Sequence, residues 1–443
     1  MEIKSFQLNN VGRFESLHVD LAPTASMATN VTVFVGSNGA GKTSLLKSLA
    51  TSLSWFVARL RSEKGSGNPI PEEAITNSVL SASVDIDVYH QGNSYNWTIA
   101  KTQKGKKGNL NSNLTEASKL ADFFRASLSN DESTSLPLIA FYSVERVVLD
   151  IPMKIRGKHS FLQIDGYDNS LSHGVDFRRF FEWFREREDT ENESGISQEI
   201  LDKLQSMVGS DSEVWSKLAQ LKASSRDKQL TAVRTAIANF MPGFSNLRVR
   251  RNPLHMSIDK HEEQLNVLQL SQGEKSLMAL VGDIARRLAM MNPQLENPLH
   301  GDGIVLIDEV DMHLHPTWQR NVIARLTDTF PSCQFVLTTH SPLVISDYKD
   351  ALVYLLEEDK LSALPSQYGQ DANTVLLDVM GTSARNANID GKLNDLLDAI
   401  QARHFNLAHQ LVTELDAELP SGNMELAKAK LILRKQELRR AED

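Results

Sequence analysis

Two stretches, far apart in the chain, carry residue types suited to phosphate chemistry. Gly36-Ser37-Asn38-Gly39-Ala40-Gly41-Lys42-Thr43 fits G-x-x-x-x-G-K-[ST], with the apolar run VTVFVG leading in and the helix-forming run KTSLLKSLATSLSWFVARL leading out. In that context the glycines let backbone N–H groups curl around phosphate oxygens at the positive end of the following helix. Lys42 then reaches the terminal phosphates and the Thr43 hydroxyl holds Mg²⁺. The second stretch, Ile304-Val305-Leu306-Ile307-Asp308-Glu309, is an apolar strand that empties onto two carboxylates. A buried carboxylate without a partner is costly, so a cation is expected beside it. Asp308 is placed for the Mg²⁺ shell, and Glu309 for orienting or deprotonating an attacking water.

Between them, Leu270-Ser271-Gln272-Gly273-Glu274-Lys275 opens the apolar helix SLMALVGDIARRLAMM, and Ser271 taken alone reads as its cap. After the acidic strand comes a second one, FVLTTH, ending on His340.

The elements that must position these groups are legible in outline. IKSFQL and FESLHVDL read as strands around a turn at Asn9 to Gly12, and SASVDIDVYH and SYNWTIAKT as a hairpin around Gln91-Gly92-Asn93. LPLIAFYSV reads as a buried strand, and residues 62 to 74 as a loop. From about 170 to 240 the pattern is helical, with a Phe177, Phe180, Phe181, Phe184 stripe that suits core or interface. From Ile389 the chain is helical again, with apolar faces at Leu393, Leu396, Leu397 and Ile400, then Leu407, Leu411, Val412 and Leu415, then the basic run KAKLILRKQELRR. The expected domains are a head built from residues 1–150 and 245–388, a helical insertion at 151–244, and a C-terminal helical partner-docking region at 389–443.

Composition sets outer limits. The 443 residues are 41% apolar and 23% charged, an ordinary globular balance that excludes wholesale disorder. With 47 basic and 56 acidic residues the net charge is −9, so nucleic-acid contact has to be local. Lys101, Lys104, Lys106 and Lys107, and Arg248, Arg250 and Arg251, are the candidate phosphate contacts. His313-x-His315 has metal-ligand spacing, but helix-start packing beside Pro316 fits it better. One cysteine, Cys333, and no charged-then-apolar leader point to a reducing cytoplasm, and no apolar run reaches a membrane span.

Taken together, P-loop, LSQGE turn, acidic strand with Glu309, the loop Glu309-Val310-Asp311 and His340 resemble the ABC-type ATPases, in their order. The resemblance implies an α/β fold, a P-loop ATPase head with a mixed β-sheet, plus helical insertion and C-terminal helices. It implies ATP and Mg as cofactors, with Gly36 through Thr43 and the adjoining Ser44 on the nucleotide. It further implies a head-to-tail dimer in which Ser271, Gln272, Gly273 and Glu274 of one subunit face the γ-phosphate on the other. Asp311 then resembles the loop aspartate at that interface, and His340 the histidine that contacts γ-phosphate.

His340-Ser341-Pro342, the amino-terminal strands and the long separation of P-loop from signature are similar to the RecF and SMC-type branch, without its coiled-coil arms. LPLIAFYSVERVV, FEWFREREDTEN, VDMHLHPTWQR, TTHSPLVIS and GQDANTVLLDVMGTSARN are similar to the Septu-type and retron-associated antiphage ATPases. That similarity implies a homodimer or higher oligomer that controls a separate effector, an HNH-type nuclease or retron components, with DNA as a further partner and no membrane. The residues after Asn388 are too few for the Toprim domain of overcoming-lysogenization-type nucleases. The alternative is a RecF-like repair ATPase that binds DNA ends or gaps.

Overall fold

The computed structural model describes residues 1–145, 161–172, 175–194, 226–382 and 385–442. The segments 151–160, 173–174 and 195–225 of the expected insertion, and 146–150 of the expected head, lie outside the described residues. The chain divides into two units, Met1–Gln370 and Asp371–Asp443.

The first unit opens with a hairpin of β1 (Glu2–Val11) and β2 (Phe14–Asp20). Val11 pairs with Phe14, so the turn is Gly12-Arg13 and not the Asn9 to Gly12 stretch that the sequence suggested. Val11 is buried, which extends the strand past the polar asparagines. β4 (Ser81–His90) and β5 (Asn93–Thr102) form the second hairpin, its two-residue turn made by Gln91 and Gly92 at φ 47° and 85°. Asn93 already belongs to the strand. These four pair in the order β2-β1-β4-β5.

The central sheet contains β3 (Val31–Val35), β6 (Leu138–Tyr142), β10 (Gly303–Ile307), β11 (Cys333–Thr338), β12 (Leu352–Glu357) and β13 (Lys360–Ala363). Its order is β13-β12-β3-β11-β10-β6, parallel throughout except for β13. Every residue of β3, β6, β10 and β11 is buried. Continuous apolar runs are what a parallel sheet covered on both faces demands. Because β3, β11 and β10 are adjacent and parallel, the segments following them emerge at one edge, where α/β sheets bind ligands. A smaller sheet, β7 (Phe244–Arg251), β8 (Leu254–Lys260) and β9 (Glu263–Asn266), precedes the LSQGE turn.

Around the sheets lie α1 (Lys42–Arg61), α2 (Thr115–Asn130), α3 (Phe177–Ser194), α4 (Lys228–Phe240) and α5 (Gln272–Met291). Short helices α6 (Pro316–Gln319), α7 (Val322–Thr329) and α8 (Pro342–Ser346) connect the last strands. The phenylalanine stripe of α3 is core: Phe177, Phe180, Phe181 and Phe184 are all buried. Phe180 packs on Gly282 of α5, where an added Cβ would lie 3.0 Å from its ring.

The second unit consists of α9 (Ala372–Asp378), α10 (Ala387–Gln401), α11 (Phe405–Glu418) and α12 (Met424–Glu442). Leu393, Leu396, Ile400, Phe405, Leu415, Leu426 and Leu433 form its own core, and Leu411 packs against it. Of the apolar positions expected to await a partner, Leu393 is therefore consumed by that core, since three helices close around it. Leu397 and Leu407 stay exposed, as do Leu431 and Leu438. In the basic run, the side chains of Arg439 and Arg440 lie outside the described residues.

Candidate nucleotide site

The P-loop leaves β3 through Gly36, whose backbone passes so close to Leu356 that an added Cβ would sit 2.3 Å from its carbonyl oxygen. It enters α1 through Gly41 at φ 105°, against the Phe14 ring. A side chain fits neither position, so both glycines are dictated by backbone approach. Lys42 Nζ donates to the carbonyls of Gly36 (2.9 Å) and Ser37 (3.0 Å), which curls the loop. Burial pushes the Lys42 amine down, and Glu309, Asp308 and Asp311 oppose this without fully reversing it. Ser37, Asn38 and Gly39 form the exposed rim, Ala40 is buried, and Ser44 is exposed on the first turn of α1. Arg13, from the β1–β2 turn, donates to the Gly39 carbonyl and pairs with Asp359. The sequence offered only its place in a Gly-Arg turn as a signal, and that was missed.

Asp308 is the junction. It is fully buried at the end of β10, its Oδ2 accepting from Thr43 Oγ1 at 2.8 Å and its Oδ1 from Thr338 Oγ1 at 2.6 Å. Its backbone N–H donates to the Tyr142 carbonyl on β6 (2.9 Å). A hydroxyl and a carboxylate in contact make an all-oxygen set, the donor chemistry a hard divalent cation takes. Glu309 follows at φ 47°, a left-handed conformation unfavourable for its side chain. Its N–H donates to Thr338 Oγ1 (2.7 Å) and the next N–H, of Val310, to the Thr338 carbonyl (2.9 Å). This pins the turn and aims Glu309 away from the strand direction. His340 Nε2 lies 3.5 Å from Glu309 Oε1. Thr339 Oγ1 donates to Asp311, and Ser341 Oγ to Gln319 Oε1 at 2.8 Å. Thr338, Thr339 and Gln319 were not singled out in the sequence, where threonines ending a buried strand carry no distinct mark.

Ser271 and Gln272 are exposed at the start of α5. Ser271 forms a capping box: its N–H donates to Glu274 Oε2 (2.8 Å) and its Oγ accepts from the Glu274 N–H (3.4 Å). Lys260 Nζ donates to Glu274 Oε1 at 2.7 Å. Burial pushes the Glu274 carboxyl up, but Lys260 and the Ser271 bonds outweigh it, so it is held below its ordinary value. An added Cβ on Gly273 would lie 2.4 Å from the His313 carbonyl, so only glycine lets α5 abut the loop that carries Asp311. His315 caps α6, its Nδ1 accepting from the Thr317 N–H at 3.3 Å.

Helix α5 also carries three charges in its buried middle. Asp283 accepts from Arg286 and Arg287, each at 2.7 Å, and from the Tyr142 hydroxyl at 3.0 Å. Tyr142 thus holds Asp308 by its carbonyl and α5 by its side chain. Burial pushes the Asp283 carboxyl up, and the two guanidiniums more than reverse this. Held below its ordinary range, Asp283 contributes stability above that range and loses it as pH falls through its lowered value. Asp283→Ala should therefore lower stability by about 3–5 kcal/mol, because it strands two buried cations. An unchanged unfolding midpoint at neutral pH would refute this.

Of the candidate phosphate contacts, Arg251 is engaged by Glu188 and Asp189 of α3. Arg250 bonds Gln264, and Lys104, Lys106 and Lys107 lie on an exposed loop.

The model of the family described as "AAA domain, putative AbiEii toxin, Type IV TA system" matches residues 31–346. The chain belongs to that family. "Retron Ec83 probable ATPase" of Escherichia coli is 35% identical over 400 residues, which cover 82% of this chain and 73% of that protein. "Retron Vc95 probable ATPase" of Vibrio cholerae is 31% identical over 409 residues, 85% of this chain and 79% of that one. "Septu protein PtuA" of Bacillus mycoides is 40% identical over 113 residues, 24% of this chain and 15% of that one. The resemblance to retron-associated and Septu-type ATPases is borne out, and with it the α/β P-loop fold. Among the described residues, no helix of this family member is long and apolar enough to cross a membrane.

Proposed function

We propose that the chain binds and hydrolyses ATP as the ATPase subunit of a bacterial antiphage defence complex, dimerising head-to-tail around nucleotide to control a separate effector. The observation that carries this is the meeting of Thr43, Asp308, Glu309 and His340 where three adjacent parallel strands end. Lys42 and the P-loop amides bind the phosphates, Glu309 takes the proton of the attacking water, and His340 positions the γ-phosphate from the end of the adjacent strand β11. Thr43 and Asp308 would hold Mg²⁺, whose charge would offset that of the phosphates. The effector is a nuclease of HNH type or retron components, and the names of the retron ATPases support the second of these.

Residues 371–443 are the proposed docking unit, since their core is complete while Leu397, Leu407 and Leu431 remain exposed. In tagged preparations from the native host, the full chain should hydrolyse ATP with Mg²⁺ and not with EDTA, and should co-purify its effector. The chain lacking 371–443 should keep ATP binding and lose the effector. Effector retained by that truncation would move the docking surface to the first unit, and Mg²⁺-independent turnover would refute the assignment of Thr43 and Asp308.

A further inference from the structure

His340 belongs to neither of the elements beside it, since β11 ends at Thr338 and α8 begins at Pro342. Its place therefore depends on how the residues on either side are held. Both are tied to the loop that carries Asp311. Thr339 Oγ1 donates to the Asp311 carboxylate and accepts from the Ser341 N–H at 3.0 Å. Ser341 Oγ donates to Gln319 Oε1 at 2.8 Å, and Gln319 Nε2 donates to the Leu314 carbonyl at 2.9 Å. Thr339 is fully buried and Ser341 nearly so.

The chemistry of this second tie calls for an amide. Ser341 Oγ already accepts from the Leu343 N–H at 3.2 Å, capping α8, so its own hydrogen is left for Gln319. The Leu314 carbonyl can only accept. A side chain between the two must accept at one end and donate at the other, which glutamine does with a single planar group. Glutamate would set a carboxylate against the Leu314 carbonyl, and an apolar side chain would make neither bond.

We infer that Gln319 is a positioning residue for His340: it holds Ser341, and with it the backbone of His340, against the loop that carries Asp311. The inference rests on the role proposed for His340 at the γ-phosphate. Glu309 opens the same loop, and His340 Nε2 lies 3.5 Å from its Oε1. The tie thus sets the spacing between the histidine and the carboxylate that takes the proton of water. Misplacing such a group costs turnover, while the P-loop contacts that hold the nucleotide stay intact.

Steady-state hydrolysis and the affinity for a non-hydrolysable ATP analogue, measured on the full chain, test this. The variants are Gln319→Met, Ser341→Ala, His340→Ala and the double variant Gln319→Met with His340→Ala. Gln319→Met keeps the length of the side chain and lacks both bonds. It should lower kcat about tenfold, the scale of one or two neutral hydrogen bonds, and leave analogue affinity at the wild-type value. Ser341→Ala cuts the same tie from the other side and should lower kcat by a similar factor, so the comparison stands even where Gln319→Met folds poorly. His340→Ala should lower kcat by itself, and adding Gln319→Met should cost nothing further, because a residue acting through His340 has no effect once that ring is gone. A residue serving only the fold would show its loss in both backgrounds. Wild-type kcat in Gln319→Met, an equal loss with and without His340, or a fall in analogue affinity that matches the fall in kcat would each overturn the inference. Wild-type kcat in His340→Ala is a separate failure: it removes the role proposed for that histidine, and the inference about Gln319 falls with it.

Discussion

Lys42→Ala should abolish nucleotide binding, whereas Glu309→Gln should bind ATP and fail to turn it over. In the proposed mechanism the two residues act on different terms of one reaction. Lys42 fixes the loop through the Gly36 and Ser37 carbonyls and directs its charge at the phosphates, so its loss removes both the shape of the cradle and a charge-assisted contact. Glu309 makes no backbone contribution that glutamine cannot copy: the bonds from its N–H and from Val310 N–H to Thr338 are unaffected by the change. What goes is the carboxylate that accepts a proton, worth about 10²–10⁴-fold in turnover for a positioned general base. ATP affinity measured in the absence of turnover should therefore match wild type while hydrolysis falls at least about a hundredfold. Wild-type hydrolysis in Glu309→Gln would remove that residue from its role, and retained binding in Lys42→Ala would show that the amides alone suffice.

The arrangement of this site was readable because it rests on residue types with few other uses at those positions. A glycine whose Cβ would strike a carbonyl and a carboxylate ending a buried strand are both forced by local geometry, and local geometry is written in short strings. The parallel strands were legible for the same reason, as uninterrupted apolar runs. What escaped notice depends on contacts between segments distant in sequence. Thr338 bonds Asp308 and Glu309 across the sheet, and Arg13 reaches the P-loop from the first hairpin; neither residue type is unusual where it stands. Asp283, Arg286 and Arg287 stand within a string that reads as an apolar helix, yet they are buried and both arginines pair with Asp283. Leu393 and Leu397 were equivalent by spacing, and only the closure of three helices separated core from surface.

Mixing Lys42→Ala with Ser271→Arg should restore ATPase activity that neither variant has alone. The expectation follows from where the signature sits. Ser271 and Gln272 face outward at the start of α5, and the hydrogen bonds of Ser271 to Glu274, and of Glu274 to Lys260, stiffen that end of the helix. Gly273 abuts the carbonyl of His313, so the signature and the loop bearing Asp311 form one surface suited to meeting a second subunit. In a head-to-tail dimer each site takes its P-loop from one chain and its signature from the other. A mixed dimer then holds one site with both defects and one with neither. With random exchange half of the dimers are mixed and half of their sites intact, so activity should recover to about a quarter of wild type if the sites fire independently. Recovery should track the mixing ratio, peaking at equal amounts. If mixed dimers form, shown by differently tagged subunits co-purifying, and activity stays absent at every ratio, then the two sites must fire together or the signature does not complete the partner's site. Crosslinking a cysteine placed at Gln272 to one at Ser37 of the other subunit separates these, because a trapped dimer without turnover retains the shared site and leaves only the coupling in question.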